Sequence, residues 1–123
     1  MEISKIEART GYLFVKFSGE FELHPALIQF KVVAAECVRQ GCPFALFDAR
    51  DLTGDIGILA RHTMGESLGD LRDQIRRLAI LVRAEQVLPD RFMQTVARNR
   101  GFFGEAFFEL SEAEAWLHGG ADS

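Results

Sequence analysis

The sequence predicts an α/β fold, a small mixed, mostly parallel sheet with an N-terminal hairpin and alternating helices. Three observations carry this. The apolar runs Phe44–Phe47 and Leu78–Val82 are continuous rather than alternating, as in strands buried on both faces. Stretches with helical apolar spacing separate such runs, giving the order β, β, α, β, α, β, α, β, α. After the first hairpin the strict alternation demands parallel strands joined by right-handed crossovers.

In chain order, residues 2–8 and 12–18 read as two strands joined at Thr10-Gly11, a short connection that suits an antiparallel hairpin. Tyr12-Leu13-Phe14-Val15-Lys16-Phe17 is rich in the aromatic and branched residues that strands favour. Pro25 suits the first turn of a helix, and Leu27, Phe30, Ala34, Cys37 and Val38 form its apolar face. Gly41 stands where a left-handed cap belongs, and Pro43 blocks continuation.

The strand Phe44–Asp48 comes next, followed by a loop at Asp51–Asp55. A second helix is read over residues 56–70 from Ile56, Leu59, Ala60, Thr63, Met64 and Leu68, with Asp55 as N-cap. Gly57, Gly65 and Gly69 each weaken a helix by about 1 kcal/mol relative to Ala, so this one is expected to be irregular. The Leu78–Val82 strand leads to a loop at 83–88 and a helix from Pro89 to Arg100 capped by Gly101. Ala106-Phe107-Phe108 reads as the last strand. Ser111-Glu112-Ala113-Glu114 has the form of a capping box opening a final helix that carries Trp116 and Leu117. Residues 1–118 are thus expected to form a single domain, with 119–123 a frayed tail.

At 123 residues the chain suits one domain with one core, and a hydrophobic fraction of 48% is enough to fill it. Eleven of the thirteen aromatic residues are Phe, which favours packing over polar recognition. A net charge of −4 without a basic run argues against a nucleic-acid partner. No apolar run nears the roughly 20 residues of a membrane helix, and the start lacks a signal peptide's basic and apolar segments. A cytoplasmic protein without membrane insertion is expected. Cys37 and Cys42 match neither a redox nor a zinc spacing and read as free thiols.

Asp48, Asp51 and Asp55 cluster around Arg50, a set that salt bridges and turn hydrogen bonds explain without metal. His62 and Glu66 share a helix face as a solvated pair. His118 falls in the frayed end. No nucleophile signature or phosphate-binding glycine loop is present, so neither catalytic residues nor a cofactor is assigned. Phe102-Phe103 is expected to place one ring inside and one partly out.

The segment Leu46-Phe47-Asp48-Ala49-Arg50-Asp51-Leu52-Thr53-Gly54 resembles the central segment of SpoIIAA-like proteins, relatives of STAS domains (sulfate transporters and anti-sigma factor antagonists). Arg77–Val82 is similar to that family's next strand, and Phe108–Leu117 to its closing strand-to-helix segment. The resemblance implies a sheet with helices packed on it and no catalytic apparatus. Where antagonists carry an Asp-Ser-Ser-Gly-like phosphorylation motif, this chain reads Leu52-Thr53-Gly54-Asp55-Ile56-Gly57, with Thr53 the one hydroxyl near the right place. SpoIIAA-like proteins are also similar in fold to SEC14-type lipid-binding domains.

Two functions are expected from this. One is an interaction module that binds a protein partner, or a second copy of itself, through the third strand's exit. The other is a carrier or sensor of a small apolar or anionic ligand beside the second helix. The candidate residues are Asp48, Arg50, Asp51, Thr53, Asp55, Leu59 and His62. Arg50→Ala and Thr53→Glu are both expected to spare the melting temperature.

Overall fold

The computed structural model describes residues 1–86 and 103–119. A five-stranded sheet has the spatial order β1-β2-β3-β4-β5. Its strands are β1 Glu2–Arg9, β2 Tyr12–Glu20, β3 Phe44–Thr53, β4 Arg77–Leu81 and β5 Phe103–Phe107. β1 and β2 pair antiparallel, and every later pairing is parallel. The described helices are α1 Leu23–Gln40, α2 Ile58–Asp70 and α3 Leu110–Leu117. The mixed, mostly parallel architecture is the one the sequence predicts, with β2, β3 and β4 at its centre.

The helix after the hairpin shows how local chemistry fixes an element. Gly41 adopts φ 63°, and the Gly41 and Cys42 N–H groups donate to the carbonyls of Val38 and Cys37 at 3.1 and 3.0 Å. That left-handed reverse turn satisfies two end carbonyls of the helix at a position where glycine has no Cβ to clash. α1 buries Ala26, Phe30, Val33, Ala34 and Cys37. Val38, expected on the same face, is instead 62% exposed, because Val33 and Ala34 turn the apolar stripe away from it.

The sheet has two unlike faces. On the first, Leu13, Val15, Phe17, Ala45, Phe47 and Leu52 pack against α1 and against Met64 and Leu68 of α2. On the second, Tyr12, Phe14, Leu46, Ala79 and Leu81 pack against Ala113 and Leu117 of α3. Phe47 sits at the middle of the first face, stacked on Phe30 at 5.7 Å and edge-on to Phe17 at 5.0 Å.

Several expected boundaries are corrected. β3 does not end at Asp48 but runs to Thr53, because Ser18, Gly19 and Glu20 of β2 supply parallel partners for Asp51, Leu52 and Thr53. A bulge lies within this stretch, since Lys16 pairs with Asp48 while Ser18 pairs with Asp51. The extra residue resets the alternation, so that Leu52 returns to the first-face core. The N-cap of α2 is Gly57 rather than Asp55, and no side chain caps it. Met64, Gly65, Leu68 and Gly69 are the buried residues of α2, which packs on α1. Gly65 and Gly69 are thus interior positions of the helix rather than exposed ones.

The last strand begins at Phe103, earlier than expected, and leaves out Phe108. Its extra residues pair with Arg77, Leu78 and Ala79 of β4. The expected capping box does not form, because α3 starts at Leu110 with Glu109 as N-cap and no side-chain cap. Ser111 is inside the helix, and Glu114 accepts a 2.6 Å hydrogen bond from the buried Tyr12 hydroxyl instead. His118 is tied down rather than frayed, with Nε2 2.8 Å from the Thr10 carbonyl oxygen and its ring beside Tyr12. The expected helix from Pro89 to Arg100, the Gly101 cap and the Phe102 and Phe103 side chains lie outside the described residues.

Candidate functional site

β3 is longer than β4, and the site is built on the difference. The last β3–β4 register pair is Asp48 with Leu81, so residues 49–53 extend past the end of β4. A strand without a neighbour leaves main-chain groups to be satisfied. Here side chains from the segment after β4 supply the donors. Arg83 donates from Nη1 to the Arg50 carbonyl and from Nη2 to the Leu52 carbonyl at 3.3 Å. Gln86 donates from Nε2 to the Ala49 carbonyl at 2.9 Å. Arg83 is itself held by Glu85, whose Oε1 lies 3.0 Å from its Nε. A 3-10 turn at Ala84–Gln86 positions these residues.

On the second-face side of this overhang, Asp48 is 2% exposed and points into the end of the sheet. Arg50 grips it with both arms of the guanidinium, Nε to Oδ1 and Nη2 to Oδ2, each at 3.0 Å, and its backbone N–H adds a 3.2 Å bond to Oδ1. Burial alone would push the Asp48 carboxyl up. The hydrogen bonds from Arg50, with the charges of Arg50 and Lys16, outweigh it and leave the carboxyl below its ordinary value. The same contact raises Arg50. Lys16 of β2 pairs with Asp51 at 3.0 Å.

This geometry changes the role of Arg50. It is the counter-ion of a buried carboxylate, and removing it strands that charge, so the expected neutrality of Arg50→Ala does not fit the structure. An aspartate held ionised is also poorly suited to donate a proton at neutral pH. The arrangement is a fixed array of charges.

The candidate residues divide between the two sides of the sheet. Asp48, Arg50 and Asp51 meet on the second-face side, and alternation from Leu52 puts Thr53 there too. Thr53 is exposed and closes β3, with residues 54–57 between it and α2, so it does not stand on the helix's amino end. Asp55 is exposed in that connection. Leu59 and His62 belong to α2, which covers the first face. Leu59 is 80% exposed while Met64 is buried in the core, so the two do not line one cavity. His62 Nδ1 lies 3.1 Å from Glu66 Oε1 in a partly solvated pair. Cys37 is buried and Cys42 half-buried, both free.

Sequence reading missed Lys16, Arg83 and Gln86. No local motif marks them, since each joins the site from another strand or loop. The parallel pairing of β2 with β3 is the one signal that would have drawn in Lys16. Among the described residues no three His, Cys, Asp or Glu side chains converge to hold a metal ion. No helix among them is long and apolar enough to cross a membrane.

No protein-family model matches the chain, and no curated protein matches it in sequence. Its structure is similar to the crystal structure of an anti-sigma factor antagonist from Mycobacterium paratuberculosis. The TM-score is 0.58 at 18% sequence identity, over 93% of this chain and 92% of that one. The chain has the SpoIIAA-like, STAS-type fold that its sequence resembles.

Proposed function

We propose that this SpoIIAA-like chain is a non-catalytic regulatory module, one domain over residues 1–118, that binds a protein partner at the exit of β3. The observation that carries the reading is the overhang. Arg50 is paired with Asp48 and Lys16 with Asp51, and Arg83 and Gln86 hold the backbone beneath them. Charges fixed in this way lose little freedom on binding, which favours recognition. The structural likeness to an anti-sigma factor antagonist supports the same reading, because that protein is named for acting on another protein. Thr53 and Asp55 extend the surface at its exposed end. The partner is a different protein or a second copy of this chain.

A photo-crosslinking amino acid at Thr53, with the same residue at Lys31 on the outer side of α1 as control, tests this. A protein captured at Thr53 and not at Lys31 is purified and titrated against wild type and Thr53→Glu. Binding weakened about tenfold in the variant, equal to 1.4 kcal/mol, supports the reading. Equal binding by both proteins sinks it.

A further inference from the structure

Both cysteines of the chain, Cys37 and Cys42, sit at one turn, the reversal that ends α1. Gly41 donates its N–H to the Val38 carbonyl at 3.1 Å, and inside that reversal the Cys42 N–H reaches back to the Cys37 carbonyl at 3.0 Å. This nested pair of bonds is a Schellman motif, which commonly packs the side chain after the glycine on the one five residues before it. Here those two side chains are the thiols. With standard bond lengths, the 3.0 Å bond keeps the two Cα atoms within about 7 Å of each other. Disulfides span Cα separations of about 4.4–6.8 Å. Burial, and after it the nearness of Cys42, pushes the Cys37 thiol up to about 11.

The turn is held from both sides. The Pro43 carbonyl accepts the Arg76 and Arg77 N–H groups at 2.7 and 3.4 Å at the entrance of β4. Cys42 Sγ lies 3.6 Å from the Phe44 carbonyl oxygen, a weak thiol hydrogen bond. The two sulfurs differ in access. Cys37 is 2% exposed, whereas Cys42 is half-buried and the space beside Gly41 is open. Near neutral pH the Cys37 sulfur is protonated and shielded, so a reagent from solvent meets Cys42 first.

We propose that Cys37 and Cys42 are a site of reversible oxidation, closing to an intramolecular disulfide when the protein meets a peroxide. The Cys42 sulfur attacks one peroxide oxygen and the O–O bond breaks. The leaving hydroxide takes up the thiol's proton as water, and Cys42 becomes a sulfenic acid. The Cys37 sulfur then attacks the Cys42 sulfur, the S–O bond breaks, and hydroxide leaves with the Cys37 proton as a second water. The peroxide gains the two electrons that the two thiols lose. The bond joins the end of α1 to the entrance of β3, at the opposite end of that strand from Thr53. The proposal therefore goes beyond the partner-binding reading and does not depend on it.

The reduced, folded protein is exposed to an equimolar amount of hydrogen peroxide, blocked with N-ethylmaleimide and weighed intact by mass spectrometry. The expected product is a monomer lighter by its two thiol hydrogens that takes up no maleimide. Digestion should map the bond to Cys37–Cys42, and dithiothreitol should restore both thiols. Cys42→Ser should react with peroxide at least about tenfold more slowly, since the thiol that remains is buried. Cys37→Ala should stop at a Cys42 sulfenic acid that dimedone traps. Two unreacted thiols, oxygen added to Cys42 with Cys37 left free, or disulfide-linked dimers would each overturn the proposal. So would a Cys37–Cys42 bond that forms only in urea. Unchanged peroxide reactivity in Cys42→Ser would also sink it, by placing the reactive sulfur at Cys37.

Discussion

Among the described residues, the first face of the sheet is apolar from Leu13 to Leu52, whereas the second is apolar where α3 covers it and charged beyond α3's reach. Among the described residues, two helices dock on the first face and one of eight residues on the second. The contrast shows how a small sheet divides its work. Three Phe rings in contact on one side hold the strands in place, and the other side can leave its upper end open to charge.

Phe47→Ala should therefore have the largest effect, a loss of about 3–5 kcal/mol in urea unfolding, because it removes the ring between Phe17 and Phe30. Leu117→Ala on the second face should cost about 2–3 kcal/mol, near the lower end for buried leucines, since one short helix relaxes more easily than two packed ones. If Leu117→Ala proves as costly as Phe47→Ala, the two faces contribute alike and the contrast fails.

Arg50→Ala comes next, at about 1–3 kcal/mol for a buried carboxylate left with one backbone donor. Its pH dependence sharpens the point. Asp48 titrates below its ordinary value of 3.8, so its contribution is present above that value and is lost as pH falls through the lower folded value. The gap between wild type and Arg50→Ala should be widest at neutral pH and narrow on acidification below about pH 4. A gap that does not change with pH would mean that Arg50 acts through packing. Tyr12→Phe, which deletes the bond to Glu114, should cost about 1 kcal/mol. Thr53→Glu should shift stability by about 0.5 kcal/mol or less, since its side chain is exposed.

The parts of the fold legible in the sequence are those encoded within a few residues. Pro25 and Gly41 bracket α1, Thr10-Gly11 turns the hairpin, and dense apolar runs mark β2, β3 and β4. What was not legible depends on distant partners. Asp51 and Thr53 look like a loop until Ser18 and Glu20 are set beside them. Ser111 and Glu114 look like a cap until Tyr12 claims the glutamate. Gly65 and Gly69 look like weak points in the sequence, yet both are buried in a helix that packs on α1. The site was legible as a place, Asp48 and Arg50 at the end of β3. The sequence could not show that Asp48 is buried, because burial there depends on the width of the sheet.

The bulge in β3 has a consequence for how such a surface arises. A regular strand shows one side chain per face every two residues, about 6.6 Å apart. With one residue added between Asp48 and Leu52, Arg50 and Asp51 are adjacent in sequence yet both pair on the charged side. Ala49 and Leu52 still face the core. A single-codon insertion thus thickens the ionic rim while the hydrophobic reading frame downstream stays in phase. Lineages that gain or lose this one residue would differ in what the strand displays while sharing the same interior.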